Sequence, residues 1–146
     1  MEPIDVTNRV REIGLGALGT RMGQEVTSAV IDATGWATVE GTMPVEGNTQ
    51  PYGLLHGGAN AVLAESLGSI ASAMTAQATL GDGHIVVGVD LNCTHHRSAK
   101  EGTVAGTARI IAAGRTVITS TIEIRDDQNR LICTSRLTCL VRKVTD

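Results

Sequence analysis

The sequence predicts an α+β fold in which one long central helix is wrapped by a curled antiparallel β-sheet. The first observation is a stretch from Gly53 to Gly81 in which Glu65 is the single Asp, Glu, Lys or Arg. The second is a C-terminal half whose apolar and polar residues alternate with the period of strands. The third is a composition without Phe, so that small branched side chains, which suit tight sheet packing, must fill the core.

The chain length is that of one domain, which we assign to residues 1–146. Of the 146 residues, 42% are hydrophobic and 18% are charged, a mixture that fits neither disorder nor a fibrous repeat. The formal net charge is −3, no run of Lys or Arg occurs, and Trp36 and Tyr52 are the only aromatic residues. A surface that binds nucleic acid through phosphate contacts or base stacking is therefore not expected.

Residues 1–20 are expected to form an N-terminal helix and turn. The helix is predicted over 5–13, with Asp5 or Thr7 as its cap. The glycines of 14–19 match the pattern G-x-G-x-x-G, which in a dinucleotide site follows a strand. Here the pattern follows a charged helical stretch, and we interpret it as a Gly-rich turn.

The middle of the chain is predicted to contain two strands, a loop and the long helix. The strands are expected at 24–31 and 35–43, and the Pro- and Gly-containing segment 44–55 is expected to be the loop. The helix is predicted over about 57–79, ended by Gly81 and the residues after it. Asn, Ser, Thr and Gln side chains interrupt its apolar surface, which favours a buried helix over a membrane span.

The C-terminal half is predicted to be an antiparallel meander. Four segments carry β-branched or alternating apolar residues, namely 84–92, 102–113, 116–125 and 131–142. Short polar turns such as Gly114-Arg115 separate them, and strands joined by short turns form hairpins.

The cysteines indicate a reducing compartment and no metal centre. They are Cys93, Cys133 and Cys139. Three thiols cannot all pair within one chain, and the N-terminus has no apolar signal segment, so we expect a cytoplasmic protein. Cys93 and His95 would share a strand face, with His84 as a third metal ligand, but no CxxC or HExxH spacing accompanies them. A solvent-facing or ligand-facing pair, His95 and His96, is the preferred interpretation.

The junction between the loop and the long helix is a candidate site. His56, Gly57 and Gly58 stand where the helix begins, and glycine allows a substrate to approach the backbone closely. The first N–H groups of a helix have no internal partners and lie at the positive end of its dipole, so they can stabilise a developing oxyanion. Alternatively, the two glycines only permit a tight turn.

Glu65 is the candidate acid or base. A carboxylate on an otherwise uncharged helix is costly to bury unless it is paired or functional. Ser69, at i+4, lies on the same helix face and continues a polar stripe. The alternative is that Glu65 simply faces solvent.

The distance between these two candidates predicts a dimer. Gly57 and Glu65 are eight residues apart, which is about 12 Å along a helix. A Glu side chain does not readily span that distance to share one carbonyl with the Gly57 N–H. Two antiparallel helices across a two-fold axis would bring Gly57 of one subunit near Glu65 of the other.

The motif that runs from Gln50 through His56-Gly57-Gly58 to Glu65 and Ser69, followed by the segment 92–102, resembles the hotdog-fold acyl-CoA thioesterases. Within that family it is similar to the phenylacetate-pathway and Arthrobacter-type 4-hydroxybenzoyl-CoA thioesterases. The menaquinone-pathway 1,4-dihydroxy-2-naphthoyl-CoA thioesterases look most similar, although Thr94 and His96 differ from residues associated with that branch. The resemblance covers about residues 20–142.

The resemblance implies specific roles for the residues. Glu65 is the nucleophile or general base, the Gly57 N–H polarises the carbonyl, Gln50 and His56 orient water or the thioester, and Ser69 supports Glu65 or the attacking water. Contacts to CoA are implied for Gly88, His95, His96, Arg97, Ser98, Ala112, Ala113, Gly114, Arg115, Thr116 and Val117.

The function expected from the sequence is hydrolysis of an acyl-CoA, with an aromatic acyl group, at a site shared across a dimer interface. The resemblance implies that dimers pair into homotetramers. No cofactor is expected, because coenzyme A arrives as part of the substrate. The alternatives are a non-catalytic acyl-CoA-binding regulator of the same fold, and a hotdog hydratase, whose chemistry requires a paired Asp and His.

Overall fold

Seven antiparallel strands form one sheet, and a long helix packs on one face of it. The computed structural model describes residues 2–145. Its helices are α1 (Thr7–Ile13), α2 (Gly16–Arg21) and α3 (Gly57–Leu80). Its strands are β1 (Ile4–Asp5), β2 (Glu25–Ile31), β3 (Ala37–Pro44), β4 (His84–His95), β5 (Thr103–Ala113), β6 (Val117–Arg125) and β7 (Leu131–Lys143). The sheet order is β1-β2-β3-β5-β6-β7-β4, and α3 contacts every strand from β2 to β7.

The predicted fold class and the predicted central helix are confirmed. The helix expected over about 57–79 is α3, and six strands begin and end within three residues of their predicted bounds. Leu63, Ala64, Leu67 and Ala71 of α3 are fully buried against the sheet. Within residues 2–145, no helix is both long and apolar enough to cross a membrane.

Paired glycines bring α3 close to the sheet. Gly41 on β3 and Gly106 on β5 are direct neighbours in the sheet, and Leu67 lies over both. A Cβ at Gly41 would lie 2.7 Å from Leu67 Cδ2 and 2.7 Å from the backbone oxygen of Glu25. On the helix itself, a Cβ at Gly68 would lie 2.8 Å from Leu137 Cδ2. Glycine therefore permits an approach that a side chain would block.

The predicted meander is wrong in one respect, which is the place of β4. Strands β5, β6 and β7 are consecutive neighbours, but β4 pairs with β7 at the far edge of the sheet instead of pairing with β5. The link over 96–102 is not a hairpin turn. Its backbone binds the loop before α3, through Leu55 N–H to Ala99 O and Val45 N–H to Gly102 O. Strand β5 is therefore directed to β3, and β4 is left as an edge strand.

The N-terminal segment also differs from its prediction. The helix starts at Thr7 because Ile4–Asp5 pairs with β2, and the Asp5 carboxylate accepts the Thr7 N–H at 2.8 Å. The expected Gly-rich turn is confined to Gly14-Leu15, after which α2 begins at Gly16. Since α1 and not a strand precedes these glycines, the context that a dinucleotide site requires is missing.

We predict that Gly41→Ala destabilises the protein by about 1–3 kcal/mol, because the added Cβ meets the backbone of Glu25 as well as Leu67. Gly114→Ala is the matched control. Its Cβ would lie 3.4 Å from the nearest atom, Val117 O, and its φ is not in the left-handed region, so a change within about 0.5 kcal/mol is expected. Denaturant unfolding of both variants measures the difference. Equal stability of the two variants would contradict the close approach of α3 to the sheet.

Candidate active site

His56 caps the N-terminus of α3 and leaves one N–H free. Its Nδ1 accepts the Gly58 N–H at 2.8 Å, and its backbone carbonyl accepts the N–H groups of Ala59 and Asn60. Within residues 2–145 the Gly57 N–H has no such partner. It lies at the positive end of a 24-residue helix, which suits an oxygen that gains negative charge.

Gly57 lines a cavity of about 290 Å³ whose wall combines polar side chains with leucine and alanine. A Cβ on Gly57 would lie 3.0 Å from Nε2 of His95, so even an alanine would press on that ring. The cavity joins several residues predicted for the site. Its lining includes Gln50, Gly57, Asn60, His95, Arg97 and Ser98. The Gln50 side chain accepts the Tyr52 N–H, which holds the loop over the cavity.

Glu65 lies elsewhere on α3, against the middle of the edge strand. The side chain is half-buried, and its carboxylate occupies the space that a side chain at Gly88 of β4 would fill. The glycine at position 88 is thus a steric requirement of the Glu65 conformation. Glu65 therefore neither faces open solvent nor reaches the cavity of Gly57.

Ser69 and Ser72 continue the polar stripe from Glu65 toward the thiol of Cys139. Burial raises the pKa of that thiol, the nearby hydroxyls of Ser72 and Ser69 lower it, and the Glu65 carboxylate raises it. A raised pKa keeps the thiol protonated at neutral pH, so Glu65 has a neutral neighbour. Burial and the nearby Cys93 raise the pKa of the Cys133 thiol to about 12.

The two halves of the predicted site are far apart in one protomer. Gly88 pairs with Cys139 and His95 pairs with Cys133, and these partners are six residues apart on β7. At roughly 3.3 Å per residue, that is about 20 Å along the sheet. The structure thus brings Gln50 and Gly57 together, and separately Glu65 and Ser69.

The residues implied for CoA binding divide in the same way. His95, Arg97 and Ser98 lie near Gly57, and His96 shares a 2.8 Å hydrogen bond with Thr134. The β5–β6 turn lies at the other end of the sheet, beside Gly88 and Glu65, as the pairings of Val117 with Leu140 and of Leu140 with Val87 show. That turn holds the remaining predicted contacts, Ala112, Ala113, Gly114, Arg115, Thr116 and Val117.

Sequence reasoning missed Asn60. Its side chain is 4% exposed and lines the cavity of Gly57, and within residues 2–145 its Oδ1 has no hydrogen-bond partner. A buried polar atom without a partner is costly, so a polar group that can enter the cavity would stabilise it. The available signal was an amide in the first turn of a strongly apolar helix.

The residues considered for a metal site are separated. His84 Nδ1 lies 2.8 Å from Gly81 O, and the Cys93 thiol lies 3.4 Å from the Ser135 hydroxyl. No cluster of three His, Cys, Asp or Glu side chains that could hold a metal ion occurs in the part of the chain that the structure describes.

The sequence matches a known family and several named relatives. Residues 52–133 match the thioesterase superfamily. The chain is 41% identical over 128 residues to the proofreading thioesterase EntH of Cronobacter sakazakii, which covers 87% of this chain and 82% of that protein. It is 48% identical over 105 residues to the 1,4-dihydroxy-2-naphthoyl-CoA hydrolase of Escherichia coli, covering 71% and 74% respectively.

Solved structures share the fold over nearly the whole chain. A thioesterase from Haemophilus influenzae is 34% identical, with a TM-score of 0.83 over 96% of this chain and 92% of that one. Two structures of one Staphylococcus aureus protein are 32% identical, with a TM-score of 0.73, and cover 86–87% of this chain and 98–99% of theirs. In one of them a glutamate is replaced by alanine, and in the other a glutamine fifteen residues earlier.

We predict that His56→Ala destabilises the protein by about 0.5–1 kcal/mol, because the Gly58 N–H loses its acceptor. His56→Asn restores most of this loss, since asparagine is among the best residues at a helix N-cap. Denaturant midpoints of the three proteins at one protein concentration measure the effect. If the asparagine variant were no more stable than the alanine variant, the cap would not be what His56 contributes to stability.

Proposed function

Because the chain belongs to the thioesterase superfamily, we propose that it hydrolyses an acyl-CoA to a free acid and CoA at an active site shared by two protomers. The chain is a thioester hydrolase with the hotdog fold. The observation that carries the proposal of a shared site is that Gly57 and Glu65 lie about 12 Å apart along α3. The β4 residues they contact, His95 and Gly88, lie about 20 Å apart along the sheet. Each group is suited to one half of the reaction, and neither can complete it within one chain.

The relatives support the choice of substrate and of residues. An aromatic acyl group agrees with the name of the Escherichia coli relative, a 1,4-dihydroxy-2-naphthoyl-CoA hydrolase. Gln50 and Glu65 are fifteen residues apart, the same separation as between the glutamine and the glutamate replaced in the Staphylococcus aureus protein. This agreement supports functional roles for both residues.

The edge strand β4 supports a dimer. Among the described residues, β4 pairs with β7 on one side only, and 12 residues of open strand edge remain on the other. Ile85, Val87 and Val89 of this strand are each 44–53% exposed. A long apolar edge is a template for another strand, and a second copy of the same chain would extend the sheet across a two-fold axis.

The position of that axis follows from the two groups that must meet, Gly57 beside His95 and Glu65 beside Gly88. An axis between Leu91 and Asn92 is midway between Gly88 and His95 in the sequence. Antiparallel pairing about this axis places Gly88 of one protomer opposite the partner's His95. The bulge between Gly88 and Asp90 can shift this register by one residue. Since Glu65 lies on Gly88 and Gly57 lies on His95, each carboxylate then faces the free N–H of the partner.

The chemistry then uses both protomers. The thioester carbonyl accepts the Gly57 N–H, which makes its carbon more electrophilic and stabilises the tetrahedral oxyanion. Glu65 of the partner subunit either attacks that carbon or removes a proton from an attacking water. Gln50 and His56 orient the thioester or the water, and Ser69 supports Glu65. Collapse of the intermediate breaks the C–S bond, and the CoA thiolate leaves and takes up a proton. Attack by water releases the free acid directly, whereas attack by Glu65 leaves an acyl–Glu65 anhydride, which a water molecule then hydrolyses to the free acid and the Glu65 carboxylate.

The same axis brings the residues proposed for CoA binding in one protomer close to those in its partner. His95 to Ser98 of one protomer come to the end of the sheet where the partner holds its Gly88 and its β5–β6 turn. Arg97 and Arg115 are exposed and can pair with the CoA phosphates from opposite sides.

Val87, Leu140 and Val117 form a row of neighbours on the sheet face away from α3, and this apolar row supports the pairing of dimers into homotetramers. We propose a place in menaquinone biosynthesis from the resemblance of the motif to the 1,4-dihydroxy-2-naphthoyl-CoA thioesterases, and a cytoplasmic location agrees with three free cysteines.

We predict that Glu65→Gln lowers kcat/KM by about 10²- to 10⁴-fold while the fold survives, because the amide can neither attack nor accept a proton. A thiol-release assay with an aromatic acyl-CoA measures the loss. Gly57→Val should be similarly inactive, because its side chain displaces His95 and blocks the N–H.

Mixing the two inactive proteins tests the shared site. In a heterodimer of Gly57→Val and Glu65→Gln chains, one site receives both lesions and the other receives none. Refolding them together should therefore restore about half of the wild-type activity per heterodimer. Demonstrated heterodimers without activity would rule out the shared site, and near-normal turnover of Glu65→Gln alone would remove Glu65 from the mechanism.

For CoA binding, Arg97→Ala and Arg115→Ala should each raise KM by about fivefold with a smaller effect on kcat, and added salt should mimic them. Arg109→Ala is the matched control, an exposed arginine on β5 outside the proposed site. Steady-state kinetics at low and high salt make the comparison. Unchanged KM in both variants would mean that the phosphates bind elsewhere.

A further inference from the structure

A second cavity lies beside Glu65 and differs in character from the one at Gly57. It has a volume of about 320 Å³ and lies between α2, α3 and the middle of β4. Leucine, valine and alanine side chains form most of its wall, and Glu65 and Ser66 supply its polar atoms. Its lining includes Leu15, Leu18, Ala61, Val62, Glu65 and Leu91.

The short helix α2 forms the outer wall of this cavity. Leu18 lines the cavity but is still 56% exposed. Contact with an apolar ligand in the cavity would remove this exposed apolar surface from water, which is favourable. Gly19 is buried beside it, and a Cβ there would lie 2.6 Å from Leu15 Cβ and 3.3 Å from Gln24 Oε1. This close packing holds α2 against the residues that precede and follow it, and with it the position of Leu18.

We propose that this cavity holds the acyl group of the substrate and that Leu18 sets the size of the group it accepts. The inference rests on the proposed function, since it assumes that Glu65 acts on a thioester. The acyl carbon must come within bonding distance of the Glu65 carboxylate or of a water on it, so the rest of the acyl group enters the space next to Glu65. No Lys or Arg lines that space, and it therefore favours a compact uncharged acyl group over a dicarboxylic one.

The two cavities separate the two ends of the substrate. The cavity at Gly57 carries Arg97, His95 and Gln50 and suits the polar CoA portion, whereas the cavity at Glu65 is apolar. With a shared site, the protomer that donates the Gly57 N–H does not hold the acyl group. The protomer that supplies Glu65 also supplies Leu18, so acyl selectivity and carboxylate come from one chain and the oxyanion donor comes from the other.

The test is a panel of acyl-CoAs of increasing acyl size, from acetyl-CoA through benzoyl-CoA to naphthoyl-CoA. Leu18→Trp fills the cavity, so kcat/KM for the naphthoyl substrate should fall by about tenfold or more relative to acetyl-CoA. Leu18→Ala should shift selectivity the other way, toward larger groups. Ile13→Trp is the matched control, because Ile13 is 66% exposed on the preceding helix and does not line the cavity.

The outcomes separate this inference from the proposed function. A wild-type protein that hydrolyses no acyl-CoA contradicts the proposed function. A second outcome is an active wild type in which neither Leu18 substitution changes the acyl selectivity, or in which both lower kcat/KM equally for all acyl groups. Either result contradicts only the assignment of this cavity to the acyl group. Because Leu18→Ala adds no volume, it keeps the test valid if the tryptophan variant does not fold.

Mixed dimers test which chain holds the acyl group. In heterodimers of Gly57→Val and Glu65→Gln chains, the single intact site takes Glu65 from the Gly57→Val chain. Leu18→Trp placed on that chain should change acyl selectivity at least as much as in the homodimer, whereas Leu18→Trp on the Glu65→Gln chain should leave it unchanged. The reverse pattern would overturn the assignment of the cavity to the chain that supplies Glu65.

Discussion

The close contact between α3 and the sheet is the constraint on which the rest of the structure depends. The paired glycines Gly41 and Gly106 leave a shallow recess in the sheet, and Leu67 fills it. Removing side chains from the sheet at one point allows the helix to lie closer along its length, so that small residues such as Ala64 and Ala71 still reach the core. A chain without Phe needs this short distance, because its core residues are too small to fill a wider gap.

Because α3 is held tightly against the sheet, its Gly57 N–H and its Glu65 carboxylate cannot move toward each other. The Gly57 N–H opens at the start of α3, and the Glu65 carboxylate lies two turns further on, over Gly88. Bringing them to one carbonyl within a protomer would require α3 to break or to leave the sheet, and both cost far more than a strand pairing between two copies. Under the proposed mechanism, the rigidity that stabilises the fold would leave an isolated protomer without a complete site, and the open edge of β4 would allow a second copy to complete it.

The sequence was most informative where a local pattern determines the structure. The apolar helix with one carboxylate, the His56-Gly57-Gly58 junction and the alternating strands could all be recognised, because caps and periodicity are local properties. The place of β4 could not, because its alternation identifies a strand without identifying its neighbour. The same holds for the contacts of Gly88 with Glu65 and of Gly57 with His95, which join residues distant in sequence. Helix α2 was missed because its glycines resemble a turn, and the burial of Gly19 against Leu15 favours a helix there instead.

The hydrogen bonds at the start of α3 limit how catalysis can be divided. The cap consumes the Gly58 N–H, and the His56 carbonyl consumes those of Ala59 and Asn60, so a single backbone donor remains for the oxyanion. One such donor contributes a factor of about 10²–10³ to kcat. Thioester hydrolysis by an enzyme needs more than this, and the remaining stabilisation must come from the carboxylate and from substrate positioning. In the proposed mechanism, the stabilisation required from Glu65 therefore depends in part on His56, which accepts the Gly58 N–H that the oxyanion could otherwise have used.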